Sequence, residues 1–409
     1  MFLPDRWPSY YAQARGVEVV DLDGKTYIDM SIIKVGACVL GYADSEVDEA
    51  VKAAIDKGSM CTLNAPEEVE LAELLCELHP WAQMVRYARG GGEAMSIAVR
   101  IARAHTRRDR IAFCGYHGWT DWYLAANLGE GDALDGHLLP GLEPAGVPRG
   151  LKGTAIPFHY NRIDQLKDIV DSHRDHLAAI VMEPQRGKTP EPGFLEKVRD
   201  LAKEIGAVLI FDEITTGFRM TAGGIHLLLR VNPDIAVFAK AMANGYPMAA
   251  VIGTEEVMQS AQSTFISSTN WTERVGPTAS LATIRKFCRE NVAEHLIRVG
   301  GAVMAGWQRA SEETGLKLHV SGLPSLNHFN FDHEQELILT TLFTQMMLEK
   351  GYLAYNQFKP SFAHREDHVR DYFLALKETF AVLAQSIEKG DARSRLKSAA
   401  ARRGFYRLA

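Results

Sequence analysis

The sequence predicts an α/β protein built on a mostly parallel sheet, and three observations carry that prediction. Short apolar runs alternate with helical stretches through the middle of the chain. Two neighbouring runs each deliver a charged residue, Asp212 and Lys240, at the carboxyl end. With 409 residues, 46 % of them apolar and 23 % charged, the chain can bury a large core. The runs are Val85 to Ala88, Ile111 to Phe113, Ala179 to Met182, Val208 to Asp212, Ile235 to Ala239 and Ala249 to Gly253. Strands alternating in this way with helical patterns argue for a parallel sheet with helices packed on it.

The flanking segments follow other rhythms. Val17 to Met30 alternates apolar and polar residues around Asp23-Gly24, the pattern of a hairpin with a tight turn, and opens a small N-terminal lobe. Glu46 to Lys57 and Glu67 to Leu78 carry apolar residues at three-to-four spacing and read as amphipathic helices. The Gly- and Pro-rich stretch from Gly131 to Tyr160 reads as a long ordered loop over the surface or the active site. After about Glu290 come one long helix, strand-like pieces at Leu316 to Val320 and Leu326 to Phe331, and a final helix from Glu366 to Glu388. The basic tail after Lys389 is expected to be helical in part, as a solvated extension or a dimer-packing arm. Domain limits are set at 1–60, 61–295 and 296–409, the first and last belonging to small-domain structure.

Bulk properties exclude several classes. A net charge of −6 gives no field for holding a polyanion, so nucleic acid is not expected as a partner. Five cysteines, an odd set without a C-x-x-C, fit reduced thiols and suggest no metal cluster. The N-terminal stretch lacks the apolar core of a signal peptide, and no segment approaches the roughly 18 apolar residues of a membrane span. The expectation is a cytoplasmic protein acting on small molecules.

Asp212 and Lys240 carry the chemistry. Asp212 closes an apolar strand, where a buried carboxylate without a cationic partner would cost several kcal/mol. Lys240 closes the next, ahead of a turn containing Asn244-Gly245-Tyr246-Pro247. A carboxylate and a lysine at the carboxyl ends of neighbouring parallel strands are what a protein needs to hold pyridoxal phosphate, with the lysine as Schiff base and the acid on the ring nitrogen. A lysine in an apolar site loses hydration, its pKa falls, and it serves as nucleophile and as general base. Upstream, Arg89-Gly90-Gly91-Gly92-Glu93 leads from a strand into a helix whose Ala94, Ile97, Ala98 and Ile101 share one face. Glycines before a helix N-terminus make a phosphate cradle of backbone N–H groups.

With these residues the chain resembles the fold-type I, class III aminotransferases, in the branch that includes glutamate-1-semialdehyde aminomutases, from about Gly16 to about His364. The resemblance implies a large domain with a mostly parallel sheet sandwiched by helices and a smaller α+β domain drawn from both termini. It implies that Ile214 packs on the cofactor ring, that Tyr116 of Tyr116-His117-Gly118-Trp119 stacks on it with His117 beside it, and that Glu183 lies below it or is a structural strand-end carboxylate. Trp119, Asp121 and Trp122 read as packing or channel residues. It further implies that Thr272, five residues before Pro277, reaches the phosphate of a neighbouring subunit, making a homodimer with shared active sites. The chain also departs from the family. Gly90 and Gly92 stand where hydroxyl residues are usual and Arg89 where asparagine is usual, so phosphate contacts fall to backbone amides, and Arg89 either restores charge or meets a substrate anion. Tyr42 replaces a common histidine.

The activity implied is ping-pong transfer of an amino group from a donor such as L-glutamate to a carbonyl compound, with Lys240 moving the proton. A glutamate-1-semialdehyde-type aminomutase is the alternative. The mutase pattern has Gln-Phe-Glu-Ala-Gly-Phe before an Ala-His pair, whereas this chain has Gln357-Phe358-Lys359-Pro360-Ser361-Phe362-Ala363-His364, without the glutamate. Decarboxylase or racemase chemistry on the same cofactor and a non-catalytic cofactor-binding scaffold complete the range.

Overall fold

Among the described residues, fourteen strands and their helices form two compact units, one within residues 1–49 and 285–402, the other within 50–284. The structure is a computed structural model and describes residues 3–129, 131–137, 139–402 and 404. In chain order the strands are β1 (Tyr11–Arg15), β2 (Glu18–Asp21), β3 (Thr26–Asp29), β4 (Met84–Ala88), β5 (Arg110–Cys114), β6 (Ala155–Pro157), β7 (Leu177–Met182), β8 (Val208–Asp212), β9 (Ile235–Phe238), β10 (Ala249–Gly253), β11 (Leu318–Leu323), β12 (Leu326–Phe331), β13 (Tyr352–Leu353) and β14 (Gln357–Phe358). Among the described residues no helix is long and apolar enough to cross a membrane.

The unit of residues 50–284 holds a seven-stranded sheet in the order β4-β10-β9-β8-β7-β5-β6. Its members from β5 to β9 run parallel, and β10 is antiparallel to both β4 and β9. Every residue of β7, β8, β9 and β10 is buried, as expected for strands covered on both faces. Alternate side chains feed two cores. Ala179, Val181, Val208, Ile210, Ile235 and Val237 meet Ala94, Ile97, Ala98 and Ile101 of the helix Gly91–Thr106 on one face. On the other, Ile180, Met182, Leu209 and Phe211 meet Leu166 and Val170 of the helix Ile163–His173 and Leu195, Val198 and Ala202 of the helix Phe194–Ile205. The period of two along each strand does this sorting.

In the other unit the expected hairpin is present as antiparallel β2 and β3, joined at a turn in which Asp21 Oδ1 accepts the Asp23 and Lys25 amides at 3.0 and 2.9 Å. Its core gathers Trp307 from the helix Val292–Thr314, Phe329 and Phe331 from β12, and Tyr372 and Phe380 from the helix Glu366–Lys389, with Trp307 Nε1 donating to the Tyr372 hydroxyl at 2.9 Å.

Three expectations are corrected. The helix Glu336–Glu349 has no counterpart in the sequence reading, because it is apolar nearly all round and buried, so no amphipathic stripe marks it. The stretch 131–160 is not wholly loop: it contains β6, which pairs with β5. The tail is not helical over its described part, since Gly390 ends the last helix in the left-handed region. Residues 391–402 then run as turns and coil, held where Gln345 Nε2 donates to the Arg395 carbonyl and the amides of Lys397 and Ala401 donate to Gln345 Oε1 and Thr341 Oγ1. The tail reading also extends over residues 403 and 405–409, which lie outside the described residues.

Candidate active site

Parallel register brings the two reactive side chains together. Asp212 at the end of β8 pairs with Val237 of β9, so Lys240 lies just past the same sheet edge. Asp212 is 3 % exposed. Its Oδ1 accepts the Ile214 amide at 3.0 Å and its Oδ2 lies 2.8 Å from His117 Nδ1. The other nitrogen of His117 is 3.1 Å from the Cys114 carbonyl, so two hydrogen bonds fix this buried ring and through it the carboxylate. Trp122 stacks on the ring at 6.0 Å, which makes it a packing residue.

Lys240 begins a single 3₁₀ turn with φ of 49°, a left-handed conformation that costs a non-glycine residue about 1–3 kcal/mol and that the surrounding fold must hold in place. Its Nζ donates to Thr215 Oγ1 at 2.9 Å. Burial, followed by the charge of Arg186, lowers its pKa from 10.5 to about 8, against the opposing pull of Asp212. An amine with this pKa is neutral for an appreciable fraction of the time at neutral pH, as a nucleophile and base must be.

The glycine turn has the form of a cradle. Gly90 caps the helix in an extended conformation, and Gly91 and Gly92 are its first residues. A Cβ on Gly91 would lie 3.0 Å from Ile214 Cδ1, and one on Gly92 would lie 3.2 Å from Trp119 Nε1. No side chain caps this terminus, so its first amides are open toward an anion, backed by the positive end of a sixteen-residue helix.

These groups enclose a cavity of about 280 Å³ whose walls include Gly91, Gly92, Tyr116, His117, Asp212, Ile214 and Lys240. Three expected residues lie off this wall. Gly90 faces open space beside it. Glu183, directly after β7, accepts the Tyr116 amide on Oε2 at 3.3 Å and pairs with Arg186 on Oε1 at 2.9 Å, behind Tyr116. Thr272 ends the 3₁₀ turn Thr269–Thr272 and does not line the cavity of its own chain.

Sequence reasoning missed Thr215, which touches Lys240, although its place three residues after Asp212 on the loop leaving the strand was a usable signal. It also left Arg89 open, and the structure gives its guanidinium an ion pair and two hydrogen bonds to backbone carbonyls through Nη2. Arg89 Nε lies 3.0 Å from Glu273 Oε1, and Nη2 donates to the Trp271 and Glu273 carbonyls at 3.2 Å each. Glu273 in turn accepts the amides of Val275 and Gly276 at 2.8 and 2.9 Å, at the start of the helix Val275–Arg289. Arg89 therefore clamps the residues on either side of Thr272.

Residues 5–375 match the family described as aminotransferase class-III, and the chain belongs to that family, whose members work with pyridoxal phosphate. It is 32 % identical over 397 residues to the 3-aminobutyryl-CoA aminotransferase of Cloacimonas acidaminovorans (strain Evry), covering 92 % of each chain. It is likewise 32 % identical over 408 residues to the glutamate-1-semialdehyde 2,1-aminomutase of Roseiflexus castenholzii (strain DSM 13941 / HLO8), covering 94 % of this chain and 92 % of that one. Among solved structures, the FumI protein of Sphingopyxis sp. MTA144 in its PLP internal aldimine form superposes with a TM-score of 0.86 at 26 % identity, over 95 % of this chain and 92 % of that one. The fold is that of the fold-type I PLP-dependent transaminases.

Proposed function

We propose that this aminotransferase runs a ping-pong transfer in which Lys240 is the catalytic amine, Asp212 the charge partner of the cofactor ring nitrogen, and the Gly91–Gly92 helix terminus the phosphate cradle, all within a cofactor-binding domain of residues 61–295. The observation that carries this reading is the convergence, on one cavity, of a buried carboxylate, a lysine of lowered pKa and an uncapped helix terminus. They are the three groups needed by a ligand with a cationic ring nitrogen, an aldehyde and a phosphate.

Pyridoxal phosphate, when bound, supplies a conjugated ring that withdraws electrons from the bond broken at the substrate carbon. The chain does the rest. Lys240 Nζ takes a proton from the donor and returns it at a second position, while Thr215 Oγ1 anchors the amine between steps. His117 holds Asp212 in orientation, and Asp212 keeps its charge facing the ring. Ile214 and Tyr116 form walls that exclude water, which strengthens the Asp212 interaction.

The donor is proposed to be L-glutamate or a similar amino acid. Because an aminomutase relative is as similar as the aminotransferase, the mutase reading is kept as the second one. Stoichiometric release of a free oxo acid from the amine half-reaction supports the first, and retention of all carbon in one rearranged substrate supports the second. Purified protein that stays colourless with added cofactor would instead mark a scaffold.

The pKa of Lys240 makes a direct prediction. In cofactor-free protein, Lys240 should react with trinitrobenzenesulfonate with a midpoint near pH 8, below the roughly 10.4 of an ordinary lysine. Reaction climbs as pH rises through the midpoint because the neutral amine is the nucleophile. A midpoint close to that of the remaining lysines contradicts the assignment.

We further propose a homodimer in which Thr272 completes the partner's phosphate site, held in place by Arg89. Arg89→Ala should then weaken cofactor affinity by about the same factor as Thr272→Ala, on the order of ten-fold for one lost hydrogen bond to a charged group. The double variant should add little to either change. Additive losses, measured by equilibrium dialysis of the cofactor, would separate the two residues.

A further inference from the structure

A second cavity, of about 260 Å³, opens at the carboxyl ends of β5, β6 and β7. The chain winds outward from β5 to β6, then returns to β7 on the other side of β5 and continues through β8 and β9. The winding therefore reverses between β5 and β7, and open α/β sheets bind ligands at such reversals. The wall carries His137, His159, Glu183, Arg186 and Lys188.

The chemistry of that wall is one-sided. Glu183 already accepts from Arg186 and from the Tyr116 amide. Tyr160 donates its hydroxyl hydrogen to the Pro184 carbonyl. The Gly115 amide donates to His137 Nδ1 at 3.2 Å, which makes that nitrogen the acceptor and leaves the hydrogen of the neutral ring on Nε2. The ring is neutral because burial lowers the pKa of His137 to about 4. Nε2 is enclosed and has no acceptor among the described residues, so the unsatisfied group is also a donor. His159, stacked on His137 at 5.7 Å, turns Nδ1 to Gln165 Oε1 and supplies the exception, an Nε2 acceptor. Lys188 stands exposed at the mouth, and of the five N–H groups on Arg186 only one meets Glu183. Two cations thus face one carboxylate. Tyr116 joins the two cavities, since it lines the first and its amide donates to Glu183 in the wall of the second at 3.3 Å.

We propose that this second cavity is the subsite for an anionic oxygen group, a carboxylate or a phosphate, carried by the amine or carbonyl substrate away from its reacting carbon, with Arg186 and Lys188 as the specificity-determining residues. The proposal rests on the aminotransferase reading above. The guanidinium keeps its bond to Glu183 and offers its remaining edge to the incoming oxygens, a fork that suits either group.

The test uses the cofactor-loaded enzyme, titrated by calorimetry with glutarate, with inorganic phosphate and with the uncharged isostere glutaramide. Arg186→Gln and Lys188→Gln are titrated in parallel. The second residue is exposed, so its replacement does not endanger folding. Glutarate or phosphate should bind and glutaramide should not. Each substitution should weaken the binding at least ten-fold, and the bound anion should raise the KM of the amine half-reaction competitively. Tighter binding of glutarate identifies a carboxylate-bearing substrate, and tighter binding of phosphate a phosphorylated one. Three results overturn the proposal: neither anion binds, both bind undiminished in both variants, or binding leaves the amine KM unchanged. In each of these cases an amine can still convert the bound cofactor, so failure of the subsite is distinguishable from failure of the aminotransferase reading.

Discussion

Lys240→Ala is expected to lose at least about 10⁴-fold in turnover while remaining folded, because it removes nucleophile and proton carrier at once. Alanine keeps the φ of 49° that lysine already tolerates. The lost contact is one hydrogen bond, from Nζ to Thr215 Oγ1, worth about 1–3 kcal/mol for a charged donor, which a chain of this size should withstand. The check is borohydride reduction of the cofactor-loaded protein followed by peptide mass mapping. Wild type should carry the reduced cofactor on the peptide containing Lys240, and the variant on none. Label on another lysine, or amino transfer retained by the variant, would remove Lys240 from its assigned role.

Asp212→Asn is expected to be the next most damaging change, with a loss on the order of 10²–10³ in kcat, comparable to deleting one preorganised charged contact from a water-excluded site. The substitution is nearly isosteric. The Ile214 amide still finds an oxygen at the position of Oδ1, and the buried pocket around the side chain is unchanged in volume. What is removed is the negative charge at 2.8 Å from His117 and at the foot of the cavity. The effect should therefore fall on kcat and on the cofactor's visible spectrum more than on substrate KM. A variant with a normal spectrum and normal kcat would assign Asp212 to packing alone. His117→Phe gives a graded control, since it keeps an aromatic ring beside Trp122 and removes the hydrogen bond that orients the carboxylate together with the one to the Cys114 carbonyl.

The pattern of what the sequence revealed follows from the physics of each element. The strands β7 to β10 announce themselves because a strand covered on both faces is a continuous apolar run, and the residues that end such a run in the parallel part lie at the sheet edge where a charge can act. That is why Asp212 and Lys240 were legible. The glycines before the helix Gly91–Thr106 were legible for a similar reason, as backbone amides need no side chain to hold an anion. The helix Glu336–Glu349 was hidden because it is apolar nearly all round, and β6 because three residues inside a Gly- and Pro-rich stretch carry no period. At the site, contacts between segments distant in sequence were illegible. Nothing in local pattern links Arg89 to Glu273, or His137 to Gly115, and these pairings appear only when strands order themselves in the sheet. Thr215 was signalled only by its place three residues after Asp212, and its contact with the lysine that follows the next strand appears only in the folded chain.

A single-turnover titration of the cofactor-loaded protein with L-glutamate, following the visible absorbance and the 2-oxoglutarate released, tests the central claim most directly. Loss of the band with one equivalent of 2-oxoglutarate per Lys240, and return of the band when a carbonyl compound is added, are the expected results. A band that neither L-glutamate nor any amine in a broad panel alters would contradict the claim.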